Sequence, residues 1–329
     1  MAIGEQQTQE DEDSGSEFEP NVGWRHTLSK IKDDTTARFG LYVIAIVGTV
    51  AMVTTIDANL STITFGRVEN FTLAESVWYH PERHPDPGTT ERRMPPFFVE
   101  GGSLEHPLGT DRNGRDYISR LVYGTRVSFF VGIVATGLGM IGGTIVGAVS
   151  GYYGGWVDDV LMRAVETLYA IPPLVLVIVF TVFVSGGDPD IIYAVFGVGI
   201  AFIPVFARLI RSRVLSVREM DYVEAARATG VKDRDILRRH VIPNSFAPVL
   251  VLATLQIGVT ILIVAGLSFL GYGAQPPTPD WGEMLRISHQ YMHSNPWMSI
   301  WPGLAILITI MGFNLFGDGL QDALDPRIK

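Results

Sequence analysis

The sequence contains no cysteine. That absence excludes a disulfide framework, a thiolate nucleophile and a Cys-based zinc site. No glycine is followed by lysine anywhere in the 329 residues, so there is no Gly-x-x-x-x-Gly-Lys-Ser/Thr loop. Such a loop wraps nucleotide phosphates with backbone N–H groups, so ATP binding by this chain itself is not expected. Charge is missing over long stretches. Asp, Glu, Lys and Arg are absent from residues 39–56, 127–157, 167–187, 191–207, 241–279 and 287–317. A helix needs roughly 20 apolar residues to cross about 30 Å of hydrocarbon. Most of these runs reach that length, and the one from Ile191 does so if Arg208 snorkels to the interface. The pattern argues against a soluble core. It predicts an all-α, polytopic membrane protein with about six transmembrane helices.

The charge that is present is unevenly placed. The net charge is −9, and Glu10, Asp11, Glu12, Asp13, Glu17 and Glu19 crowd the start. Residues 1–38 read as an acidic cytoplasmic head, partly disordered, whose plain role is a solvating tail. A sharper reading is adaptation to high salt, where surface acid maintains hydration. The polar, acidic opening argues against a cleavable signal peptide, so the first apolar run, 39–56, is expected to remain as an anchor. Residues 57–125 read as an external loop rich in proline, with a helical end over 115–123. Its Arg residues oppose the positive-inside bias, which weakens in loops longer than about 60 residues.

Residues 126–329 are expected to hold five more spans. These lie within 128–150, at 167–184, at 191–210, within 246–270 and at 301–316. Gly143, Gly147 and Gly151 form small-xxx-small steps, which let helix backbones approach closely in lipid. Pro172 and Pro173 fall near the start of the third span, and Pro204 falls inside the fourth. Residues 208–240 carry nine basic side chains. A loop that short and basic belongs in the cytoplasm, which places both termini there and the protein in the cell membrane.

Within that loop, 211–244, the run Asp221-Tyr222-Val223-Glu224-Ala225-Ala226-Arg227-Ala228 favours helix. Gly230 can end it in a left-handed turn. Asp233 is expected to cap a second helix that stops before Pro243. Ala225, Ala226 and Ala228 give the first helix little bulk, so it can sink into a groove on another protein. Glu224 and Arg227 share a face and can pair locally or across an interface. The plain alternative is a basic loop that only sets topology.

Here a resemblance enters. Glu224-Ala225-Ala226, then Gly230, then Ile242-Pro243 resembles the signature loop of the integral permease subunits of ABC importers. Further segments resemble the second, C-type permease of dipeptide, oligopeptide and nickel importers. They are His106-Pro107-Leu108-Gly109-Thr110-Asp111, Gly114-Arg115-Asp116 with Ser119-Arg120, Gly151-Tyr152-Tyr153-Gly154-Gly155, Gly266-Leu267-Ser268-Phe269-Leu270-Gly271, and Gly317-Asp318-Gly319-Leu320 with Asp325-Pro326-Arg327. The resemblance runs from about Arg38 to the end. Ile242 stands where the family commonly has Leu, and His240 where it often has Ile.

The resemblance implies a type I ABC importer permease fold and a non-catalytic, channel-forming subunit. It implies a coupling helix that docks an ATPase through Asp221, Tyr222, Glu224, Ala225, Ala226, Arg227, Gly230 and Pro243. It implies four kinds of partner: a second homologous permease, two P-loop ATPase subunits holding ATP and Mg, an extracellular substrate-binding protein, and the lipid bilayer. Nucleic acid is not among them. Dipeptides or oligopeptides are the implied cargo, with nickel or oligosaccharides as the alternative. An ion-coupled transporter is the rival, and it would place ionisable residues within spans. His289 and His293 stand four apart, as do His80 and His84, without an obvious third metal ligand, so no metal site is expected.

Overall fold

The computed structural model describes residues 24–64, 68–77, 79–83, 91–186 and 190–324, with backbone alone for 24–28. The acidic stretch 10–19, His84 and Asp325-Pro326-Arg327 lie outside the described residues. Regular structure among the described residues is helical. In chain order the α-helices are α1 (Trp24–Asp33), α2 (Thr35–Ala58), α3 (Leu60–Ile63), α4 (Thr72–Val77), α5 (Tyr117–Tyr153), α6 (Gly155–Tyr169) and α7 (Pro173–Ser185). There follow α8 (Ile191–Val217), α9 (Asp221–Ala228), α10 (Asp233–Ile236), α11 (Ile242–Ser245), α12 (Ala247–Phe269), α13 (Trp281–Ser288) and α14 (Trp297–Leu324).

Five of these, α2, α5, α8, α12 and α14, are long and apolar enough to cross a membrane. Each predicted span falls on one of them except the third. Residues 167–184 do not form one straight helix. Instead α6 and α7 meet at 93°. The cause is Pro172-Pro173. A proline pushes the residue before it out of helical geometry, and Pro172 itself is extended, with ψ 130°. Alone, α7 covers only about 20 Å at about 1.5 Å per residue. The stretch from Gly155 to Arg163, outside every predicted span, is the first part of α6.

Helix α5 has 37 residues, or about 55 Å at the same rise. It outruns the bilayer. The helical end expected over 115–123 and the span expected within 128–150 are one rod, capped by Asp116, whose side chain accepts from Ser119 N at 2.8 Å. Gly139, Gly142, Gly143, Gly147 and Gly151 pack against α8 of the same chain. A Cβ at Gly147 would lie 2.2 Å from the Ala207 carbonyl oxygen, and one at Gly143 would lie 2.5 Å from Phe206 Cβ. On α8, Phe206, Ile210 and Val214 are fully buried. α14 contacts α2 and α12, both of which also pack on α5.

Neither residues 57–125 nor residues 271–298, the segment between α12 and α14, forms a plain loop. Asp57, fully buried at the end of α2, accepts from Leu73 N and Ala74 N at 2.8 and 3.2 Å and from the Tyr123 hydroxyl. It caps α4 from a distance of 16 residues. Its oxygens are committed to structure, so this carboxylate gives the ion-coupled rival no support. In the second segment, α13 folds into the bundle. Trp281, Gly282, Glu283 and Met284 are buried, and Trp281 Nε1 donates to the Leu121 carbonyl at 2.9 Å.

Candidate functional site

The basic loop hangs from the end of α8. Only Val223 of α9 is buried; it joins Ile236, Leu237 and Val241 in the core shared with α5 and α8. Asp221, Tyr222, Glu224, Ala225 and Ala228 are exposed, and Met220 and Val231 flank them with exposed apolar surface. Ala226 is half-buried against the core. Gly230 has φ +81°, a conformation costly for any residue with a Cβ, and reverses the chain after α9.

Three local expectations differ from the structure. Asp233 does not cap α10, which begins without a side-chain cap. Its carboxylate accepts instead from the Tyr152 hydroxyl at 2.6 Å. Arg227 does not pair with Glu224. Its Nη2 lies 3.4 Å from the Tyr152 oxygen and its Nε 3.9 Å from Asp233, while Glu224 makes no ion pair among the described residues. The hydrogen bond to Tyr152 holds the Arg227 guanidinium above its ordinary pKa. Finally, the second helix does not stop before Pro243. It passes through a π turn, Leu237–Val241, into α11, where Pro243 lies in the first turn and is exposed. Proline fits there because the first turn of a helix leaves its N–H groups without intrahelical partners.

Tyr152, which stands in one of the resembling segments, and Arg218 were assigned no role at the site from the sequence. Tyr152 ends α5, is 6 % exposed, and meets both Arg227 and Asp233. Arg218 Nη1 donates to the Gly151 and Tyr152 carbonyls at 2.8 and 3.4 Å, satisfying the open C-terminus of α5. Arg211 grips Asp158 of α6 with two bonds of 2.7 and 2.5 Å. The sequence signal for Tyr152 was its place between an apolar run and Gly154-Gly155.

At the other end of α5 lies a buried ion cluster. Arg120 is 1 % exposed. It reaches Glu283 at 3.3 Å, Asp111 at 3.6 Å, and the carbonyls of Pro81 and Pro277 at 3.0 and 3.2 Å. Arg115 binds the same Asp111 at 2.7 Å, and His106 binds Asp116 at 2.9 Å. Burial pushes the carboxyls of Asp280 and Glu283 above the usual range, with Arg120 and Arg286 opposing the shift at Glu283. A cavity of about 10 Å³ lies between Asp111, Tyr117, Arg120, Glu283 and Met298. The cluster ties Pro81, residues 106–116 and residues 277–286 to the head of α5. Among the described residues no group of three His, Asp or Glu side chains could hold a metal. His289 Nδ1 lies 2.6 Å from the Arg286 carbonyl, and His80 Nδ1 accepts from Glu82 N and Arg83 N.

Residues 143–329 match the family described as binding-protein-dependent transport system inner membrane component. The chain belongs to that family. The match covers the end of α5 and the whole of α6 to α14, and takes in the basic loop. Among relatives, the dipeptide transport system permease protein DppC of Alkalihalophilus pseudofirmus is 44% identical over 231 residues, 70% of this chain and 75% of that protein. The glutathione transport system permease protein GsiD of Pectobacterium atrosepticum is 44% identical over 230 residues, with the same coverage. The inward-facing MetNI methionine ABC transporter shares the fold, with TM-score 0.52 and 18% identity over 63% of this chain and 97% of that one. The chain is thus an all-helical, multi-pass permease of the importer class.

Proposed function

We propose that this permease imports dipeptides or oligopeptides, that ATP hydrolysed on two partner subunits drives it, and that a second, homologous permease completes the pathway. The relatives named for dipeptide and glutathione transport support a peptide cargo. An extracellular binding protein would deliver it to the face formed by residues 57–125 and 271–298. The basic loop, 208–240, faces the cytosol under this reading, as do both termini.

The observation that carries the docking proposal is the state of α9. Val223 is its one buried side chain, Ala226 packs against the core, Arg227 reaches Tyr152, and Tyr222, Glu224 and Ala225 stand free at its surface. Such a helix can enter a cleft on an ATPase and pass rigid-body motion back to the spans. Asp221, Ala226, Arg227 and Gly230 hold its shape and tilt; Pro243 belongs to α11 and would act by setting the angle into α12. The test is pull-down of the ATPase subunits by the membrane-inserted chain. Ala225→Glu and Glu224→Lys should release them while insertion is unchanged. Full retention by both variants, with normal transport, would sink the docking role. Calorimetry of the cognate binding protein with dipeptides, glutathione and nickel decides the cargo separately.

A further inference from the structure

Large apolar side chains are unfavourable in water, and a water-facing surface rarely gathers them. Phe97, Phe98 and Leu104 are 51%, 50% and 76% exposed, and all three lie in one loop. That loop is fastened at several points. Arg93 N donates to the Asp111 carbonyl at 3.0 Å, Thr110 N to Met94 at 3.1 Å, and Phe97 N to Pro107 at 3.1 Å. Gly102 and Gly109 approach the Pro96 and Met94 carbonyls so closely that a Cβ would stand 2.0 and 2.2 Å away. The apolar tips are therefore held outward by a braced loop.

What they face follows from their neighbours. The Phe98 ring meets Trp297 edge-on at 4.9 Å and Trp301 at 6.4 Å, and the two tryptophans stack at 5.8 Å. Both begin α14, a spanning helix whose exposed stripe continues through Ile300, Leu304, Leu307 and Met311. Tryptophan at the end of a spanning helix sits at the level of lipid headgroups. Phe98 touches both, so the loop lies at that depth.

We infer that the loop 94–104 is an interfacial anchor, with Phe97, Phe98 and Leu104 inserted among lipid headgroups beside α14 and the exposed Glu100 between them kept in water. Lipid is favoured over a soluble receptor because Phe98 meets Trp297 and Trp301 at the head of the exposed α14 stripe, and a receptor cannot follow that stripe below the membrane surface. Asp111 is bonded to the same loop, so the anchor also fixes the height of the ion cluster above the hydrocarbon. The inference depends on the membrane fold and not on the cargo.

The lack of native cysteine makes the test direct. Spin labels are placed on Phe98→Cys and Leu104→Cys, with Glu100→Cys as the water reference and Ile308→Cys as the lipid reference. The assembled complex, with cysteine-free partners, sits in nanodiscs of phosphatidylcholine and phosphatidylglycerol. Power saturation then compares collisions with oxygen and with a water-soluble nickel chelate. The oxygen-to-nickel ratio at both test sites should be several-fold above that at Glu100→Cys and approach that at Ile308→Cys. A ratio equal to Glu100→Cys would overturn the inference. So would shielding that develops only when the binding protein is added, or exclusion of both reagents, which marks a protein neighbour. Should Phe98→Cys fail to assemble, Leu104→Cys carries the same comparison alone.

Discussion

Tyr152 and Asp233 are joined by a 2.6 Å hydrogen bond across 81 residues of sequence. The bond links the C-terminal end of α5 to the second helix of the basic loop. Arg227 closes the group, over the Tyr152 ring at 5.9 Å. The phenol therefore gives motion of α9 and α10 a polar route to α5, beside the apolar core that Val223 and Ile236 share with it. Tyr152→Phe keeps the buried ring and removes the bond. Transport per ATP hydrolysed should fall severalfold in proteoliposomes, with ATPase subunits still bound. An unchanged ratio would remove Tyr152 from the relay.

The Arg120–Glu283 pair lies wholly inside the protein. Taking one partner from a buried pair leaves an uncompensated charge, at a cost of about 3–5 kcal/mol. Arg120→Met should lower the thermal midpoint in detergent sharply. The double variant Arg120→Met/Glu283→Gln should recover much of that loss, because it removes both charges. Additive losses in the double variant would show that the two groups do not act as a pair.

Asp280 and Glu283 also set a pH dependence. Burial raises both carboxyls above their ordinary values of 3.8 and 4.5. A carboxyl raised on folding weakens the fold as it ionises; the penalty is absent below the unfolded value and grows until the pH passes the folded one. Wild type should therefore lose stability relative to Asp280→Asn as pH rises from about 4 through the raised range. Unfolding midpoints for both proteins at stepped pH check the sign. Parallel curves would mean that Asp280 does not titrate in that way.

Gly147→Ala should separate α5 from α8, because its Cβ has a backbone carbonyl 2.2 Å away. Overpacking of this kind costs about 1–3 kcal/mol. Gly137→Ala, on the same helix with nothing within 4 Å, is the control and should be tolerated. Equal folded yields of the two variants would place the helix contact elsewhere.

The spanning helices were legible because a long run without charge has few other meanings in a chain of this kind. Gly230 was legible for a similar reason, since a glycine closing an alanine-rich helix has one obvious backbone use. The bend between α6 and α7 was visible as Pro172-Pro173, yet hydropathy alone continued the helix across it. Asp233 was misplaced because local capping rules see only neighbours in sequence, and Tyr152 is far away along the chain. The ion cluster escaped for the same reason. Asp111, Arg120 and Glu283 look like surface charges until α13 folds into the bundle and covers them. Side chains that pair over such separations leave no periodic trace.

Helix α5 is uninterrupted by proline over its whole length and is gripped at both ends, by Arg120 near the first and by Tyr152 and Arg218 near the last. A strut held in that way has little slack. Displacement applied at its foot cannot be absorbed by a joint along the shaft, as it could between α6 and α7. It is passed to the far tip, where Pro81, Asp111, Pro277 and Glu283, all held by Arg120, would shift with it.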